Sequence, residues 1–96
     1  MTLDETKRQL QELKPVLKSK YNVETIAIFG SYARSGQTAE SDIDLLITYS
    51  EAPDIVGVNK IKRFLRRKLG TKVDIVSKKY VNPLIKEKVL KEAIPV

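Results

Sequence analysis

Aspartate is a poor strand former, yet three aspartates sit inside apolar runs of this chain. Asp42 and Asp44 lie in Ser41-Asp-Ile-Asp-Leu-Leu-Ile-Thr48, and Asp74 lies in Lys72-Val-Asp-Ile-Val76. Strand side chains alternate faces with a rise of about 3.3 Å per residue, so Asp42 and Asp44 point the same way, about 6 to 7 Å apart along the backbone. Two carboxylates at that spacing can share hard cations. A neighbouring strand that delivered Asp74 to the same edge would complete a three-carboxylate site, of the kind that holds paired Mg²⁺ ions about 3.5 to 4 Å apart for in-line phosphoryl displacement. A lone Asp-x-Asp more often caps a loop or faces solvent; the third aspartate, in a second apolar strand, reverses that weighting. An EF-hand loop also opens on Asp-x-Asp, but it needs a glycine and further oxygen ligands where Leu45, Leu46 and Ile47 stand.

The 96 residues are expected to form one domain, 1–96, with a single modest core and no separate substrate domain. Cysteine and histidine are both missing, which excludes a thiolate nucleophile, an imidazole base, a disulfide scaffold and the usual structural zinc sites. Catalysis would have to run on carboxylates, hydroxyls, amines and hard metals. There is no apolar run near membrane-spanning length, and Met-Thr-Leu-Asp-Glu-Thr lacks the basic and apolar regions of a secretory signal, so a soluble cytoplasmic protein is expected. The formal charge of +6 favours anionic partners without choosing among them.

Leu3, Leu10, Leu13 and Leu17 recur at near-heptad spacing, which predicts an amphipathic helix with a kink or break near Lys14, because Pro15 interrupts it. Thr25 to Phe29 reads as a buried strand ending at Gly30, residues 31–34 as a helical turn, and 35–41 as a polar loop. Asp42 to Tyr49 is the second strand. Asp54 is placed to cap a second long helix with Val58, Ile61, Leu65 and Leu69 as its buried stripe and Gly70 as its stop. Lys72 to Val76 is the third strand, and a final helix follows Pro83. The fold class is therefore α/β, a small mixed sheet of three to four strands with helices packed on it.

Phe29-Gly-Ser-Tyr-Ala-Arg34 puts a glycine and a small hydroxyl where a strand hands over to a helical turn, a suitable seat for phosphate oxygens. Neither a Walker A loop nor a Gly-x-Gly-x-x-Gly fingerprint is present. Gly30-Ser31, then Asp42-x-Asp44, then a third aspartate on a later strand, together resemble the minimal nucleotidyltransferase family of the polymerase-β-like superfold. That resemblance implies that Gly30 and Ser31 hold the nucleotide, that Asp42 and Asp44 bind two Mg²⁺ ions, and that Asp74 ligates the catalytic metal and favours deprotonation of the acceptor hydroxyl; Arg34 reads equally as a bidentate phosphate ligand of the nucleotide and as a surface residue of its helical turn. Family members of this size are similar to the antitoxin half of HEPN/nucleotidyltransferase toxin–antitoxin pairs, which implies AMP transfer from ATP to a tyrosine of a HEPN toxin partner. The family usually reads Ala-Arg-Gly-Glu where Ala33-Arg-Ser-Gly36 stands here, with loop length unchanged.

Two other functions compete. One is a catalytically silent antitoxin that neutralises its partner by binding; the other is an RNA-binding module built on the basic stretch Lys60 to Lys68. Those basic residues are expected chiefly on the wet face of their helix, and the sheet lacks the interleaved aromatics of an RNA-binding surface. Tyr32 and Tyr49 read as packing residues rather than catalytic ones.

Overall fold

The computed structural model describes residues 2–30 and 42–96. The helical turn at 31–34 and the loop at 35–41 lie outside the described residues, and so do Ser31 and Arg34. Helix α1 (Leu3–Tyr21) begins where the Thr2 hydroxyl accepts a hydrogen bond from the Glu5 N–H at 3.1 Å, and it ends at Asn22, whose φ of 59° is left-handed. Pro15 does not break this helix, which runs through it uninterrupted. An interior proline costs about 3 kcal/mol, whereas fully burying a leucine gains about 1.5–3 kcal/mol. Leu10 and Leu17, one on each side of Pro15, are both completely buried, so packing holds the two halves to one axis.

Among the described residues four strands make one sheet in the order β3-β2-β1-β4. Strands β1 (Val23–Phe29) and β2 (Ile43–Tyr49) are antiparallel; β3 (Val73–Ser77) lies parallel to β2, and β4 (Ile94–Pro95) closes the other edge antiparallel to β1. Asp42 therefore stands just ahead of β2 instead of within it. The β4 pair carries little side-chain signal and was not expected; it is held by the Val96 N–H donating to the Ile26 carbonyl at 3.0 Å and by the Lys14 ammonium reaching the Val96 carbonyl at 2.8 Å.

Helix α2 (Ile55–Leu69) links β2 to β3, capped by the Asp54 carboxylate at one end and by Gly70 at φ 74° at the other, as the sequence predicts. A 3-10 turn (Lys78–Tyr80) and helix α3 (Pro83–Glu92) then carry the chain from one sheet edge to the other. Ile26, Ile28, Ile43, Leu45, Ile47 and Val73 share the sheet face that packs against Leu10 and Leu17 of α1 and Ile61, Phe64, Leu65 and Leu69 of α2. Phe64 was not in the expected stripe; its ring meets Tyr21 at 5.4 Å and so joins the two helices. By the period of two, Asp44, Leu46, Asp74 and Val76 fall on the opposite face. No helix among the described residues is long and apolar enough to cross a membrane.

Candidate active site

The parallel ladder sets the geometry. Asp44 and Asp74 are direct register partners across β2 and β3, and such partners project from the same face, with neighbouring strands about 4.8 Å apart. Ile43 and Val73, their neighbours in the same register, point into the core and are almost wholly buried. Slipping either strand by one residue would bury a carboxylate and expose a core side chain, so the core holds the acidic pair in place.

Asp42 joins them from the chain just before β2. The Ile43 N–H donates to the Lys72 carbonyl at 2.9 Å, which ties the starts of β2 and β3 together. Asp42 and Asp74 consequently line one open cleft of about 580 Å³, walled on its other side by Lys62, Arg63 and Arg66 of α2. On the far side of β2, Phe29 pairs with Asp44, and Gly30 follows at φ 74°. A Cβ at Gly30 would collide with Oδ2 of Asp44, so the missing side chain leaves room for this carboxylate as well as relieving the left-handed backbone.

Asp74 is more than half exposed, and its Oδ1 lies 3.8 Å from the Lys62 ammonium. An ion pair this open to water is worth at most about 1 kcal/mol, so it orients the carboxylate more than it stabilises the fold. Lys62 was not singled out from sequence, where the basic stretch was assigned to the wet face. The available signal was helical spacing: Lys62, Arg63 and Arg66 stand at i, i+1 and i+4, and the first and last share a face.

The donor set is all oxygen, which suits a hard divalent cation such as Mg²⁺. Asp44 and Asp74 share a register and Asp42 and Asp74 share a cleft; among the described residues, however, no three acidic side chains are drawn into a tight metal-binding cluster. Of the residues expected to hold nucleotide, Gly30 stands at the end of β1 beside Asp44, while Ser31 and Arg34 fall outside the described residues.

Residues 11–96 match the family described as polymerase beta, nucleotidyltransferase. A Methanocaldococcus jannaschii protein, provisionally named a protein adenylyltransferase, is 45% identical over 94 residues, covering 97% of this chain and 96% of its own. A solved structure provisionally described as a minimal nucleotidyltransferase superposes with a TM-score of 0.82 at 36% identity, covering 100% of this chain and 97% of the other. A chain from the tri-AMPylated Shewanella oneidensis HEPN toxin in complex with its MNT antitoxin superposes with a TM-score of 0.68 at 18% identity, covering 94% of this chain and 70% of the other; at that identity the likeness is one of fold.

Proposed function

The chain belongs to the polymerase β nucleotidyltransferase family, and on that premise we propose that this nucleotidyltransferase moves AMP from ATP to a tyrosine hydroxyl of a HEPN-domain toxin, as the antitoxin of the pair. The observation that carries the reading is the side-by-side register of Asp44 and Asp74, with Asp42 lining one cleft with Asp74. The names of the relatives support the adenylyl donor, and the toxin–antitoxin complex of the same fold supports the partner.

In this mechanism Asp42, Asp44 and Asp74 would hold Mg²⁺, which would supply positive charge to offset that of the triphosphate and of the departing pyrophosphate. Gly30, Ser31 and Arg34 anchor the phosphate tail, the glycine by permitting close backbone approach. Asp74 stands at the cleft, where an incoming hydroxyl can reach it, and its carboxylate orients the hydroxyl and takes up the proton. The acceptor oxygen bonds to the α-phosphorus as the bond to the bridging oxygen breaks and pyrophosphate leaves.

The test is AMP transfer from labelled ATP to the HEPN protein by the Asp42→Asn, Asp44→Asn double variant. Transfer should be abolished with the circular dichroism unchanged, because neither side chain belongs to the hydrophobic core cluster. Undiminished transfer would reject the carboxylate assignment. If that silent variant still restored growth to cells making the toxin, neutralisation would be by occlusion instead of chemistry.

A further inference from the structure

From Ile55 to Val73 the chain holds seven Lys and Arg and no acidic residue. Helix α1, by contrast, mixes Asp4, Glu5 and Glu12 among its cations. Part of the α2 charge has a local reason: Arg66, Arg67 and Lys68 occupy the last turn, where cations complement the helix dipole. That reason does not reach Lys60, Lys62 or Arg63. Like charges one helical turn apart, such as Lys62 with Arg66 and Arg63 with Arg67, weaken a helix instead of supporting it.

Among the described residues only Lys62 of this set is shown in an ion pair, its partner being Asp74. Arg63, Arg66 and Lys72 instead line the cleft that ends at Asp42 and Asp74. Cations from α2 and from the residue just before β3 thus line one cleft together with Asp42 and Asp74. We propose that this cleft is the acceptor-side subsite, and that it recognises acidic side chains flanking the hydroxyl that receives AMP. The inference rests on the adenylyl-transfer reading and adds the substrate class.

Three features select an acidic protein segment. The two guanidinium groups can grip carboxylates bidentately. Asp74 lines the same cleft, so a segment lying in it can bring its hydroxyl to that carboxylate. Among the described residues no aromatic side chain lines the cleft, whereas single-stranded nucleic acid sites stack bases on aromatic rings.

The experiment compares the wild-type chain with Arg63→Ala, Arg66→Ala and, on the other element, with Lys72→Ala. All three side chains are exposed, so folding should survive, and melting curves check this. Both variants should raise the KM for the HEPN acceptor, the double variant about ten-fold or more, and leave the KM for ATP unmoved. Poly-L-glutamate should compete with the acceptor in the wild type and lose that effect in the double variant. An unchanged acceptor KM would make the basic face merely solvated, and competition by single-stranded oligoribonucleotide but not by poly-L-glutamate would make it a nucleic-acid site; either result overturns the proposal. Should the wild type transfer no AMP at all, the function reading fails by itself. Anisotropy of labelled poly-L-glutamate against the same variants then decides the cleft separately: weakened binding in both supports it, and equal binding overturns it.

Discussion

At the scale of single residues, Tyr49 shows how a side chain can belong to the core without being fully at ease there. It packs against the main cluster, and its hydroxyl oxygen is buried with no hydrogen-bond partner among the described residues. A buried polar atom left unsatisfied costs about 1–3 kcal/mol, so Tyr49→Phe should raise the melting temperature. Burial also pushes the Tyr49 phenol above its ordinary value of 10.0. The unfolded chain therefore ionises first as pH rises through about 10, and the stability contributed by the neutral phenol, fully present below that point, is lost above it. The pH dependence of denaturant midpoints above 10 should be steeper in the wild type than in the phenylalanine variant. Gly30→Ala is expected to fail twice: about 1–2 kcal/mol of strain at φ 74° and displacement of the Asp44 carboxylate. Transfer should drop at least about ten-fold, more than the stability loss measured by thermal melting explains. The strand positions of Asp44 and Asp74 could be read from sequence because the apolar runs around them are a local signal. Lys62 could not, since its reach to Asp74 depends on how α2 is rotated over the edge of the sheet.

Among elements, α1, α2 and the three long strands announce themselves through apolar period and caps. Asp54 and Gly70 bound α2 because a carboxylate that accepts N–H groups and a residue at ease with positive φ are chemically distinct from helix interiors. Tertiary burial overrode local preference at Pro15, and β4, two residues long, exists only because β1 offers it an edge. Helix α3 is a different kind of element: it has no buried residue, and Leu84 is 92% exposed. Its backbone hydrogen bonds are shielded by little apolar packing, so native-state hydrogen exchange should find α3 amides opening well before those of α2 around Leu65. Equal protection in the two helices would refute this ranking.

Over the whole molecule, one cluster joins both long helices to β1, β2 and β3. Removing a fully buried anchor from it, as in Leu65→Ala, should cost about 2–5 kcal/mol and lower the melting temperature by roughly 10 °C or more. Far-ultraviolet dichroism and tyrosine fluorescence should shift together, as two-state unfolding requires. The layered α/β architecture was legible because alternating strands and helices with a carboxylate-bearing edge admit few arrangements; the strand order was not, because pairing partners are set by contacts far apart in the chain. The ladder between β2 and β3 has one more consequence. Asp44 and Asp74 belong to strands that meet only when α2 has returned the chain across the sheet. Enzymatic turnover is thereby a census of intact molecules, and in a denaturant series it should vanish in step with the spectroscopic signal, leaving no window in which a half-assembled species still works.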